Sequence, residues 1–251
     1  MQETETIREL CSRKSVRVFS DEPITPQERD AILSAALQAP SAGNQLLYTV
    51  IDVTDAQKKA ALADSCDHQP FIAQAQLVLV FCADPLKWHD AYRLFGCDPR
   101  PLGAGDLMLS VIDAAIAAQN AVTAAWSLGI GSCYIGDILE NRETQREILR
   151  LPAQVMPAVM CVFGRPAESQ LSRPKPPRPA LTRMVHENEY RRMDEAALKE
   201  LLSYHFGTDA FEDRLRAFWQ RKYESGFSRE MTRSVEEYLR CFAPDAPSPG
   251  A

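Results

Sequence analysis

The stretch from Asp106 to Leu128 is dominated by alanine and carries Met108, Leu109, Ile112, Ile116, Val122 and Trp126. A helix here is apolar around most of its circumference, so it is expected in the middle of the fold, covered by other elements. Its many small side chains also let a second helix come close. Such a helix needs further layers to bury it. Three short runs, Tyr48–Val53, Leu77–Cys82 and Ala158–Phe163, are rich in β-branched or aromatic residues and read as strands. Their near-continuous apolarity predicts central positions in a sheet covered on both faces. Upstream, Thr25-Pro-Gln-Glu28 is a capping box with proline at the first helical position, and Ile32, Leu33, Ala36 and Leu37 form that helix's apolar face. The helix is expected to end before Pro40, because the residue preceding a proline is pushed out of the helical region.

With 251 residues the chain can bury a full core, and its length favours one large domain over two. Hydrophobic residues make up 45% and charged residues 25%, the balance of an ordinary soluble globular protein. The net charge of −6, with no long Lys/Arg block to offset it, argues against a nucleic-acid partner. The acidic first residues are the reverse of a secretory signal. Leu77–Ala83, the longest strongly apolar run, is far short of the roughly 20 residues that span a bilayer. The expectation is a soluble, cytoplasmic protein with no membrane partner. Seven scattered cysteines contain no Cys-x-x-Cys pair, and His68, His89, His186 and His205 show no ligand spacing, so no metal site is expected. No Ser-His-Asp or paired-carboxylate motif stands out, a pattern that fits an enzyme whose cofactor carries the chemistry.

Three separated segments have the composition to hold a flat, phosphorylated cofactor. In Arg13-Lys14-Ser15-Val16-Arg17, an extended backbone turns Arg13, Ser15 and Arg17 to one side. Two guanidinium forks and a hydroxyl suit a phosphate. Pro40-Ser41-Ala42-Gly43-Asn44-Gln45 ends an apolar stretch with small residues and two amides that both donate and accept. Gly129-Ile-Gly-Ser-Cys-Tyr-Ile-Gly136 is glycine-rich, so its backbone can approach a ligand closely. A helical run precedes it rather than a strand, which removes the context a Rossmann dinucleotide motif requires. Gly129 also suits a helix C-cap.

In this order the segments resemble the signature of the FMN-dependent nitroreductase family, from near Thr6 to about Arg178. Arg173-Pro-Lys-Pro-Pro-Arg178 resembles that family's late basic stretch, with an extra proline that leaves Arg173, Lys175 and Arg178 all candidates for a phosphate contact. By composition alone the same stretch reads as an extended proline-rich linker. The resemblance implies an α+β fold of three layers, with a central, mostly antiparallel sheet flanked by helices, assembled as an intertwined homodimer. It implies that long helices of the 106–128 region pack across the dimer interface. FMN is the implied cofactor and NAD(P)H the reductant, with hydride passing to flavin N5 and on to a small electron acceptor, a nitroaromatic or quinone, by a ping-pong cycle. The implied cofactor-binding residues are Arg13, Lys14, Ser15, Arg17, Pro40, Ser41, Ala42, Asn44, Tyr134, Ile135, Gly136, Lys175 and Arg178. Arg13 and Arg17, with Lys175 or Arg178, would take the phosphate. Ser15 and Asn44 suit the ribityl hydroxyls and the ring's pyrimidine edge, and Tyr134, Ile135 and Gly136 would lie along the flavin. Lys14, opposite in alternation, would contact through its backbone or at the ring edge. The same fold also admits another flavin reaction, such as dehydrogenation or dehalogenation, or a non-catalytic flavin sensor.

Trp88–Gly105 falls where the family varies its substrate-covering elements, and its aromatics suit either stacking on a planar acceptor or ordinary packing. Beyond Val185 the composition changes to three charged, amphipathic helices, Asp194–Phe206, Asp209–Tyr223 and Arg229–Phe242. Phe211, Leu215, Phe218 and Trp219 form a stripe on the second. This extension departs from the pattern of the family core. The expected organisation is an FMN-binding domain over 1–185, a helical extension over 186–243 packing on it, and a disordered tail over 244–251.

Overall fold

The computed structural model describes residues 4–243; the tail expected to be disordered, 244–251, lies outside them. Packing divides the chain into two units, residues up to 173 with those from 230 onward, and residues 174–229. The first unit contains α1 (Glu5–Ser12), α2 (Pro26–Leu37), β1 (Tyr48–Asp52), α3 (Ala56–Ser65), α4 (Pro70–Gln74), β2 (Leu77–Ala83), α5 (Leu86–Leu94), α6 (Ala104–Ser127), β3 (Gly131–Ile135), α7 (Arg142–Leu149), β4 (Met156–Gly164) and α8 (Glu168–Leu171). The second contains α9 (Leu181–Met184), α10 (Glu195–Phe206) and α11 (Phe211–Lys222), and α12 (Gly226–Arg240) spans the division. Local signals place the boundaries where the sequence puts them. At α2 the Thr25 hydroxyl accepts from the Glu28 amide at 3.2 Å while the Glu28 carboxylate accepts from the Thr25 amide at 2.9 Å.

The four strands form one antiparallel sheet in the order β1-β2-β4-β3. On β2, Leu77, Leu79, Phe81 and Ala83 enter one core, with Ile32, Ala121 and Phe163. The alternate residues Val78, Val80 and Cys82 enter a second core on the opposite face, with Leu62, Ile72 and Leu149. Two buried faces explain the continuous apolar run. On β4 the alternation changes phase at Ala158, opposite a register shift between Phe81 and Cys82, as a β-bulge requires. The expectation of three central strands needs correction for β1, which is an edge. Thr49 on β1 is exposed, and Asp52 on β1 accepts from Arg29 Nε at 2.7 Å.

The alanine-rich helix, α6, packs against α2 and the sheet through Leu107, Ala114, Ala117, Ala118, Ala121, Val122 and Ala125. It is long and apolar enough to cross a membrane by length and composition, but this buried face marks a core helix. Its cover is incomplete within one chain: Met108, Leu109 and Ile112 are 56%, 47% and 49% exposed. In the 174–229 unit, Phe206 and Phe211 are buried edge to face with centroids 5.8 Å apart, and Gly207, at φ +70°, ends α10. Trp219, from the expected stripe, is 46% exposed.

The last helix belongs to the first unit's core from Glu230 onward, where Tyr238 and Phe242 are buried beside α6 and β2. Ser234 stitches it to the turn after β3: its hydroxyl donates to Leu139 O at 2.6 Å and accepts from the Arg142 amide at 3.0 Å. In that turn Glu140 is buried, and its Oε1 has no hydrogen-bond partner among the described residues. Burial first, then the charges of Asp137, Asp67 and Glu230, push its carboxyl up to about 7. An unfolded glutamate ionises at its ordinary lower value, so the folded state binds this proton more tightly. The stabilisation is complete below the ordinary carboxylate range and is lost as pH rises through 7. Glu140→Gln is therefore expected to melt above wild type at pH 8, with the difference closing by pH 5, in thermal melts followed by circular dichroism. Parallel curves at both pH values would show that Glu140 does not carry this dependence.

Candidate functional site

Two of the three cofactor-type segments lie side by side. After α1 the chain runs extended from Arg13, and Val16 N donates to Ser132 O at 2.9 Å, so Ser15 and Ser132 form a parallel bridge beside β3. The approach is close enough to demand glycine at 131: a Cβ there would fall 2.5 Å from Val16 Cγ2. Further along, Ser20 N donates to Arg165 O at 2.8 Å. Val16 is buried, while Arg13, Lys14 and Ser15 are partly exposed and Arg17 is exposed.

Arg13, Ser15 and Arg17 all act on one thiol, that of Cys133 on β3. Burial pushes the Cys133 thiol up, and Arg17, Ser15 and Arg13 pull against that shift. Arg13 also acts on Tyr134 and Cys161, partly offsetting the rise that burial imposes on both. Among the described residues, Arg13 Nη1 is shut away from solvent with no hydrogen-bond partner, and so is Ser132 Oγ on the adjoining strand. Buried donors of this kind are costly to leave unpaired. An anionic, hydrogen-bonding group such as the phosphate end of FMN fits this donor set. Lys14 points elsewhere: its Nζ donates to Leu171 O at 2.8 Å and to Arg173 O. It braces the start of the proline-rich segment.

The second segment is held by a residue that the sequence reading missed. Asp113, buried on α6, accepts from the Ser41 hydroxyl at 2.6 Å, the Ala42 amide at 3.1 Å and the Leu47 amide at 3.1 Å. Ser41 Oγ in turn accepts from Leu46 N at 2.6 Å. Its hydroxyl shapes the loop, and the left-handed Gly43 and Asn44 complete the turn at φ +57° and +56°. Pro40, Gly43 and Asn44 remain exposed. The only trace of Asp113 in the sequence is an acid beyond the first turn of a helix that has to be buried.

Within the glycine-rich segment, Gly131–Ile135 form β3, an edge strand. Tyr134 OH donates to Gln119 Oε1 on α6 at 3.1 Å. Ile135 is buried in the second core, and Gly136 is exposed where a 3₁₀ turn begins. Lys175 and Arg178 belong to the 174–229 unit, where Arg178 Nη1 donates to Pro177 O at 3.5 Å.

Antiparallel pairing, helices on both faces and an arginine–serine segment beside β3 together invite comparison with known proteins. The profile of the Nitroreductase family matches residues 10–165. The chain belongs to the nitroreductase family. It is 36% identical over 238 residues to the oxygen-insensitive NADPH nitroreductase of Salmonella typhimurium, covering 93% of this chain and 95% of that protein. It is 30% identical over 236 residues to an FMN reductase [NAD(P)H] of Bacillus subtilis, covering 93% and 90%. Among solved structures, B. megaterium NfrA1 superposes with a TM-score of 0.81 at 27% identity, covering 94% and 98%. The NADPH:FMN oxidoreductase of Vibrio harveyi, complexed with NAD+, gives 0.77 at 26% over the same shares. Alignment over 93% of this nitroreductase-family chain takes in most of the helices after Val185. The C-terminal helices thus lie beyond the stretch that the family profile matches but within the alignment to the Salmonella typhimurium relative.

Removing the Asp113 carboxylate would leave one hydroxyl and two amides of the loop unpaired. Asp113→Ala is expected to lower stability by about 3 kcal/mol in urea titration. It should also speed hydrogen exchange at the Ala42 and Leu47 amides, while the β2 amides keep exchanging only through global unfolding. Unchanged exchange at both loop amides would show that the loop holds its shape without Asp113.

Proposed function

We propose that this nitroreductase-family chain is an FMN-dependent NAD(P)H oxidoreductase that works as a homodimer. NAD(P)H and a small acceptor, a nitroaromatic or a quinone, would occupy its site in turn. The observation that carries the reading is Arg13 Nη1, buried without a partner among the described residues on the segment that runs beside β3. When bound, FMN would supply the hydride-accepting ring nitrogen N5.

The chain's own residues bind and orient. Arg13 and Arg17 would neutralise the phosphate, and each charge-assisted hydrogen bond contributes about 1.5–3 kcal/mol. Ser15 and Asn44 hold the ribityl hydroxyls and the pyrimidine edge. The backbone of Tyr134–Gly136 would offer amide donors to the ring. Asp113 keeps the Pro40–Gln45 loop in shape, and Lys14 fixes the start of the proline-rich segment. Protons come from solvent, so no side chain is assigned as a general acid. The relatives named NADPH nitroreductase and FMN reductase [NAD(P)H] support this reaction class. The exposed row Met108, Leu109 and Ile112 on α6 supports a second copy as its cover.

An absorbance spectrum of the purified protein, followed by anaerobic NADH and then NADPH, tests the reading. Flavin bands that bleach with a reduced nicotinamide and return on adding a quinone are expected. A protein that stays colourless after reconstitution with FMN would overturn the assignment. Arg13→Ala/Arg17→Ala is expected to weaken FMN binding by roughly a hundredfold or more, read by equilibrium dialysis. Stoichiometric FMN in that double variant would remove both arginines from the site.

A further inference from the structure

The bond from Val16 N to Ser132 O fixes the Arg13–Arg17 segment to β3. An extended chain turns successive amides to opposite sides, so the next amide, that of Arg17, needs a different acceptor. It finds one on α8, where Gln170 Oε1 accepts from Arg17 N at 3.3 Å. Gln170 is itself buried, with 9% of its surface exposed. The stretch that carries it meets the segment at three more points. Ala167 N donates to Val18 O at 3.1 Å, Lys14 Nζ donates to Leu171 O at 2.8 Å, and Phe19 forms a bridge with Pro166. Gly164, at the end of β4, makes room for Phe19, since a Cβ there would fall 2.5 Å from its Cδ1.

The Arg17 side chain is long and lies on an exposed residue, so little but its backbone limits where it points. Its guanidinium sits over the Phe71 ring of α4, 5.9 Å from the centroid, and no carboxylate pairs with it among the described residues. We propose, resting on the FMN assignment, that Gln170 is a positioning residue, which ties the Arg17 backbone to α8 and so aims the Arg17 guanidinium at the bound cofactor. Gln170 acts only through Arg17. Without its acceptor the Arg17 amide is left unpaired, and the segment gains conformations that FMN must freeze out on binding.

A double-mutant cycle on FMN affinity, read by equilibrium dialysis, tests this. Gln170→Met keeps the length of the side chain and removes the acceptor. Alone it is expected to weaken FMN by roughly tenfold, and Arg17→Ala alone by roughly tenfold or more. The double variant is expected to bind within about twofold of Arg17→Ala, because a residue that acts through a guanidinium has no effect once that guanidinium is gone. A residue that merely supports the fold would multiply the two losses. In the FMN-free wild type the Arg17 amide is expected to exchange slowly with solvent. Gln170→Met should speed that exchange while the Val16 amide stays protected. Multiplied losses in the double variant, unchanged FMN affinity in Gln170→Met, or a fast-exchanging Arg17 amide in the wild type would each overturn the proposal and leave the FMN assignment standing. A wild-type protein that does not bind FMN would overturn both.

Discussion

β2 and β4 present apolar side chains to both faces of the sheet, and water has to be kept from both at once. The remaining architecture follows from that burial. On one face α2 and α6 supply small and branched side chains, joined by Tyr238 and Phe242 from the far end of the chain. On the other, α3, α4, α7 and the turns beside them contribute Leu62, Ile72, Leu149 and Leu151. Each fully buried Val, Leu, Ile or Phe contributes about 1.5–3 kcal/mol, so these two layers dominate the folding free energy. The ion pairs are mostly on the surface and contribute little.

The candidate site occupies the sheet margin that this packing leaves available. β3 has a neighbour in the sheet only on its β4 side, and the segment after α1 comes up against its other edge through the Ser15–Ser132 bridge. Glycine at 131 lets Val16 reach van der Waals contact, which holds the Arg13–Arg17 segment against β3. One part of the site therefore stands on a strand, and the Pro40–Gln45 loop is held by one buried carboxylate. Asp113 is the costliest group in α6 to bury, and it is repaid with three hydrogen bonds from a loop some 70 residues earlier in sequence. A site built this way holds its donors in place before any ligand arrives.

The same division of labour explains α6. One stripe of its surface is spent on the sheet and α2, and the opposite stripe keeps Met108, Leu109 and Ile112 in water. An alanine-rich helix can serve two packing surfaces because its small side chains impose little shape on either.

What depends on neighbours within a few residues was legible from the amino-acid order alone. The Thr25–Glu28 box starts α2, Asp194 caps α10, and Leu77–Ala83 alternates between two cores as an uninterrupted apolar run must. The arginine–serine segment and its family resemblance were legible too, since charge and spacing are local properties. β3 was not, because Gly131 and Ser132 weaken its strand signal and the segment is fixed as a strand through pairing with β4. Nor was the edge position of β1, which is decided by strand order rather than by composition. Asp113, Glu140 and Gln170 are single polar residues in ordinary surroundings of sequence. Their roles arise from burial beside groups far away along the chain, and desolvation of that kind exists only once the tertiary structure has closed around them.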